Sequence, residues 1–394
     1  MTAFCYDYIV NGVGYPNLAR HVAQPYTPGW REFDHYWPRT VPLRLHLYLN
    51  RINQPVDLVE PGDVSHFAWY PIALGWFDFD CDYFGLLSDT VRQLLRQGRC
   101  RLLFYYHEGD NPNRMRERLD AIAEQHGFTH HDYVVISANS AADQIDNFIY
   151  FPDHELFFGY LNRKQHVGDF RQIRRQHIFT AVNRTHKNWR AAVMSDLLAR
   201  GLLERSLWSY NAVANDSPED GNPIEVASDD QWLEHYTDFL ASAPYTCDTL
   251  DAIEQNDHHH INAELQSSYC QIVLETHFDA DQSQGTFLTE KTFKPIKFGQ
   301  PFIIVGPQGS LQALRDAGYH TFDQQLDNSY DLIADNTQRY FAVRRTIEQV
   351  HSNPNLQAWF NSCSADILHN QQLFAVRHEL AVNSLLKQLS CYQL

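Results

Sequence analysis

A chain of 394 residues is long enough for two or three ordinary domains, and with 44% hydrophobic and 20% charged residues it falls outside the disordered, collagenous and coiled-coil classes. A formal charge of −17 at pH 7 disfavours a protein whose affinity rests mainly on phosphate neutralisation, so a bulk nucleic-acid binder is not expected. No run approaches the roughly 18 uninterrupted apolar residues of a membrane helix, and the start, MTAFCYDYIVNGVGYPN, lacks the basic segment and apolar run of a signal peptide; the expected location is cytoplasmic. The seven cysteines, at 5, 81, 100, 247, 270, 363 and 391, form no CxxC pair and read as buried free thiols.

Residues 1–70 carry turn signals at Pro25, Pro28-Gly29, Pro55 and Pro61-Gly62 but little periodicity. From 88 the pattern sharpens. SDTVRQLLRQGR predicts a helix with Ser88 as N-cap and Gly98 as stop, and CRLLFYY at 100–106 predicts a buried strand. HEGDNP makes a turn, Pro112 opens a helix that ends at Gly127, and DYVVISAN at 132–139 is a second strand. Strand, helix, strand with a helical crossover implies a parallel sheet.

The basic segment NRKQHVGDFRQIRRQ places a domain boundary near 170. After it, HIFTAVN predicts a strand, THKNWRAAVMSDLLARGLL a helix with Thr185 as N-cap, and SLWSYN a short strand. An acidic, turn-rich loop covers 214–230, and helical pieces are expected over 231–266. SYCQIVLET (268–276) is a strand, TEKTFKPIKFG a short helix, PFIIVG (301–306) a strand, and SLQALRDAGY a helix capped by Ser310 and closed by Gly318; the tail from 337 is largely helical. The expected architecture is α/β, with two Rossmann-like domains facing a cleft: 1–170, 171–350, and a helical tail over 351–394.

The segment 268–322 carries the chemical signal. Thr289 can cap a helix whose N-terminal N–H groups and positive dipole end suit a diphosphate. Lys291 adds a mobile positive charge, and Glu290 has two acceptor oxygens suited to a ribose cis-diol. Pro295 removes the hydrogen bond to the Lys291 carbonyl, so this helix should be short or kinked. Taken alone, Thr-Glu-Lys also fits an ordinary helix start.

With its flanks, this stretch resembles the donor-binding half of GT-B glycosyltransferases, most closely the fucosyltransferase-like group. A strand ends in Glu275, Phe287 occupies the aromatic region, Thr289-Glu290-Lys291 supplies the triplet, and Gln300-Pro301 leads a strand ending at Gly306. The wording FxTEKxFKPI…GxPFIxxG is also similar to uncharacterised glycosyltransferase-like proteins of phages and bacteria. A second segment, 179–211, resembles the opening of the same donor domain. There Asn183 would end a strand, Arg190 would point toward phosphate, Ser209 would close the next strand, and Arg184 and Lys187 would add positive charge; a solvated basic helix start is the plainer reading of those charges. The sequence departs from the fucosyltransferase pattern where Ser209 is followed by Tyr210-Asn211 rather than by a glycine pair.

The resemblance implies a glycosyltransferase of hexosyl or fucosyl type, using a GDP- or UDP-sugar and a glycan or other hydroxyl acceptor. It implies no metal, because Lys, Arg and a helix N-terminus stand where a cation would. Sugar transfer needs a base for the acceptor hydroxyl, and Glu108, which follows LLFYY in the turn HEGDNP, is the candidate; a solvated turn carboxylate is the alternative. Asp78-Phe79-Asp80-Cys81-Asp82 contains overlapping DxD patterns but follows no nucleotide-binding unit, His258-His259-His260 reads as a surface loop, and Gly12-Val13-Gly14 is too short for a dinucleotide fingerprint. Two other readings stay open: a non-catalytic sugar-nucleotide or glycan-binding protein of this fold, and a phage-type nucleic-acid glycosyltransferase supported only by the basic stretch 163–175.

Overall fold

In the computed structural model the described residues are 2–5, 45, 48–54, 56–74, 82–163, 167–183, 185–211, 230–245, 266–278 and 285–393. Arg184, Asp78 to Cys81, Cys247, Gly12 to Gly14, His258 to His260, the acidic loop at 214–229 and residues 246–265 lie outside them. The chain divides into two compact units: Met1–Phe157 with Ser283–Gly285 and Arg377–Leu394, and Phe158–Gln282 with Thr286–Val376.

The first unit contains β1 (Thr2–Cys5), β2 (Val56–Val59), β3 (Ala68–Leu74), α1 (Asp89–Arg96), β4 (Cys100–Tyr106), α2 (Pro112–Gln125), β5 (Tyr133–Ser137) and β6 (Phe148–Tyr150). Its sheet runs β2-β1-β3-β4-β5-β6 with parallel pairing throughout. Period two sends alternate side chains of β4 to opposite faces: Leu102, Phe104 and Tyr106 join Val91, Leu95 and Met115, whereas Leu103 and Tyr105 join Tyr48, Leu49 and Leu385. Both faces are covered, which is why CRLLFYY is a continuous apolar run rather than an alternating one. The predicted Ser88 cap is present, its hydroxyl accepting from the Val91 N–H at 3.4 Å.

Helix α3 (Asp153–Leu161) begins in the first unit and continues into the second. The second unit then holds β7 (His177–Asn183), α4 (Asn188–Ala199), β8 (Leu207–Tyr210), α5 (Asp230–Ser242), β9 (Ser268–Leu274), α6 (Glu290–Phe298), β10 (Phe302–Val305), α7 (Ser310–Asp316), α8 (Asn336–His351) and α9 (Leu356–Ser362). The last helix, α10 (Ser364–Cys391), gives its residues up to Val376 to this unit and the rest to the first. The sheet runs β10-β9-β7-β8, again parallel. From β7 the chain steps outward to β8, then returns to the other side of β7 for β9. That reversal is a topological switch point, where open parallel sheets leave a crevice at the strands' carboxyl ends.

Two caps differ from the sequence expectation. Helix α4 starts from Lys187, not Thr185, and α7 starts from Gly309 in the left-handed region rather than from Ser310. Helix α6 is nine residues long and runs three residues past Pro295 before Gly299, at φ 69°, ends it.

Candidate functional site

The switch point of the second unit brings together the ends of β7 and β9. The constant offset of their ladder, Thr180 opposite Gln271, sets Asn183 level with Leu274, one residue before Glu275. Asn183 is 4% exposed, and its amide nitrogen has no hydrogen-bond partner among the described residues. A buried amide N–H left unpaired is costly, and it is the kind of donor a phosphate or sugar oxygen satisfies.

Glu275 is fully buried, at 0% exposure. Its Oε2 accepts from the Thr276 N–H at 3.0 Å and the Thr289 hydroxyl at 2.7 Å, and its Oε1 from the Thr289 N–H at 3.2 Å and the Thr292 hydroxyl at 2.5 Å. The carboxylate expected to face a donor is therefore built into the frame, tying the strand end to the first turn of α6.

Thr289 is the N-cap of α6 by position, but its hydroxyl makes no capping bond and goes to Glu275 instead. The next two residues carry the exposed charge. Lys291 Nζ lies 2.9 Å from Glu290 Oε1, 3.2 Å from Thr289 Oγ1 and 3.4 Å from Thr276 Oγ1. Both side chains keep a solvent-facing fraction, 29% for Lys291 and 21% for Glu290.

Arg190 does not point outward as expected. It is buried, and its guanidinium donates through Nε to the Glu275 carbonyl at 3.1 Å, through Nη2 to the same oxygen, and through Nη1 to the Thr185 carbonyl at 3.3 Å. It clasps the two sides of the switch point together. The adjacent Trp189 stacks on Phe278, with ring centroids 5.2 Å apart. Lys187 is half-buried at the start of α4, and Ser209 is buried on β8 opposite Val182. Phe287 is buried against His277, so it does not present a stacking face.

Sequence reasoning missed Arg339. This buried arginine on α8 donates from Nε to the Gly306 carbonyl at 3.1 Å, from Nη1 to the carbonyls of Ile333 and Ala334, and from Nη2 to the Phe278 carbonyl and Asn336 Oδ1. It joins the chain just beyond β9 to the chain just beyond β10. An arginine inside an amphipathic helix carries no local sign of such a role. It was invisible before the fold was known.

In the first unit Glu108 follows β4, in a turn pinned by the Asn139 amide donating to the Gly109 carbonyl at 2.9 Å. The Glu108 carboxylate is 14% exposed and lies 3.2 Å from Nε2 of the buried His107. A ring nitrogen of His154 is 3.0 Å from the His107 carbonyl, and the Tyr106 hydroxyl donates to Asp110. Glu108 thus sits in a fixed turn beside a histidine, an arrangement able to hold and pass a proton. It lies one strand away from that unit's own switch point between β1 and β3.

Of the DxD segment only Asp82 is described, and it accepts from the Gly85 N–H and pairs with His126. Among the described residues no three His, Cys, Asp or Glu side chains are placed to hold a metal ion, and no helix is long and apolar enough to cross a membrane. The described cysteines are free thiols, buried at Cys5, Cys100, Cys270 and Cys363 and exposed at Cys391.

No protein-family model matches the chain, and no curated protein matches it. Among solved structures the chain is similar to a spinosyn rhamnosyltransferase, SpnG, complexed with spinosyn aglycone. The identity is 12%, the match covers 86% of this chain and 95% of that one, and the TM-score is 0.32.

Proposed function

We propose that the chain is a glycosyltransferase that moves a sugar from a nucleoside-diphosphate sugar to a hydroxyl acceptor without a metal ion. In this reading 171–350 is the donor domain, 1–170 the acceptor domain and 351–394 the helical tail. The observation that carries it is the start of α6: Glu290 and Lys291, each partly exposed, stand on a helix N-terminus at the carboxyl edge of a parallel sheet, next to the switch point where the Asn183 amide nitrogen has no hydrogen-bond partner among the described residues. Glu290 would hold the ribose diol. Lys291, Asn183 and the helix start would hold the diphosphate and stabilise it as it leaves. Arg190 is given no direct phosphate contact, because its guanidinium already serves the Glu275 carbonyl. Glu108 would take the acceptor proton.

The test is a thermal-shift panel of GDP, UDP, CDP and their sugar conjugates, with and without EDTA, since a ligand that binds only the folded chain raises its stability. Stabilisation by one nucleotide family that persists in EDTA supports the reading and names the donor; no response to any nucleotide removes it. Glu108→Gln should abolish transfer while sparing donor affinity, and full activity in that variant would place the base elsewhere.

A further inference from the structure

Glu275 is an acid with no solvent contact, in the one unit of the chain where an exposed acid would be expected to meet the donor. Its surroundings explain why it is unavailable to a ligand. Two backbone N–H groups and two threonine hydroxyls all point donors at it, which suits a carboxylate, an acceptor at every lone pair, and does not suit an amide. The consequence runs outward through one atom. A threonine hydroxyl has a single proton, and that of Thr289 is directed to Glu275 Oε2 at 2.7 Å. Its lone pairs are thereby turned toward the Lys291 ammonium, 3.2 Å away. Thr276, held through its own N–H by the same carboxylate oxygen, offers Lys291 a second hydroxyl at 3.4 Å. Lys291 is in turn held against Glu290 at 2.9 Å.

We infer that Glu275 is a positioning residue: through the Thr289 hydroxyl it sets the orientation of the Lys291 ammonium that meets the diphosphate, and it touches no donor atom itself. The assignment of a diphosphate to Lys291 rests on the proposed function above. The relay from Glu275 to Lys291 does not, so the two can fail separately.

The experiment uses Glu275→Gln, Thr289→Val and Thr289→Ser in the full-length chain, with two readouts. The first needs no nucleotide: the rate at which an amine-acylating reagent modifies Lys291, followed by peptide mass. Rates several-fold above wild type are expected in Glu275→Gln and Thr289→Val, where the oriented hydroxyl is lost, with the wild-type rate restored in Thr289→Ser. Unchanged rates in Thr289→Val, or a fast rate in Thr289→Ser, overturn the relay. The second is the ratio of affinities for the nucleoside diphosphate and its nucleoside, with the base that binds wild type. Thr289→Val should reduce that ratio about tenfold while nucleoside affinity holds, as expected for losing a hydrogen bond to a charged group. An equal loss for both ligands would mean a general loosening and overturn the positioning role. If wild type binds no nucleotide, the proposed function fails while the labelling result still decides the relay. Should Glu275→Gln fail to fold, the Thr289 pair alone decides it.

Discussion

Two helices of the second unit start at the carboxyl ends of neighbouring strands and treat their first turns in opposite ways. Helix α7, after β10, is closed from within: the buried Asp331 carboxylate accepts from the N–H groups of Leu311 and Gln312, both at 2.9 Å. Burial leaves the pKa of Asp331 raised, although those N–H groups and the Arg315 charge offset part of the rise. Helix α6, after β9, has a residue of capping type at the N-cap position, but the Thr289 hydroxyl is turned away to Glu275. Its first turn carries Glu290 and Lys291 at the surface instead. One helix end is met by the protein's own buried carboxylate, and at the other the residue of capping type is turned aside to a buried glutamate. The difference separates a buried structural carboxylate, Asp331, from a partly exposed one, Glu290, more sharply than either stretch of sequence does.

The largest effect expected from this contrast is on stability. Asp331→Ala removes both capping acceptors from a buried helix end and should lower stability by about 2–3 kcal/mol, measured by denaturant unfolding, with nucleotide affinity unchanged. Glu290→Ala should show the reverse pattern. Nucleotide binding weakens by about 1–3 kcal/mol in calorimetry while the melting temperature of the unliganded chain holds. If Asp331→Ala loses nucleotide and Glu290→Ala loses stability, the two helix starts have been assigned the wrong way round.

A smaller effect belongs to the other end of α6. Lys297 lies in its last turn, where a positive charge suits the dipole, but burial lowers its ammonium from 10.5 to about 8. Between those values the unfolded chain binds more protons than the folded one, so this group makes stability rise as pH climbs from about 8 toward 10.5. Below about 8 the burial penalty is present in full. Subtracting the unfolding free energy of Lys297→Met from that of wild type should give a difference that grows with pH by at most about 1–2 kcal/mol, because the side chain is only half-buried. A flat difference would mean that the Asn162 carbonyl, to which Lys297 donates, fully offsets the burial.

Most of the alternation of strands and helices from 88 onward could be read locally. CRLLFYY, HIFTAVN and SYCQIV are apolar runs of strand length, and Ser88, Pro112 and Gly127 are punctuation with a local mechanism. The run AWYPIAL was not legible as β3, because Pro71 inside it argues against a strand paired on both sides; the register with β4, Ala68 opposite Cys100 through Leu74 opposite Tyr106, comes from the sheet around it. The caps of α4 and α7 were misread for a related reason. Thr185 and Ser310 are the right residue types, yet the acid that closes α7 arrives from Asp331, twenty or so positions downstream, as only a folded chain allows.

The candidate site divides along the same line. That Thr289, Glu290 and Lys291 open a helix after a strand followed from residue types and spacing, because capping and periodicity act within a few residues of one another. Whether each polar side chain faces solvent or the interior depends on partners brought from elsewhere in the chain. Arg190 meets the Glu275 carbonyl and Arg339 the Phe278 carbonyl, 85 and 61 positions apart. Hydrogen bonds of that separation have no local signature, so burial and three-dimensional pairing alone make Glu275 and Arg190 part of the frame of the candidate site and leave Glu290 and Lys291 partly exposed on it.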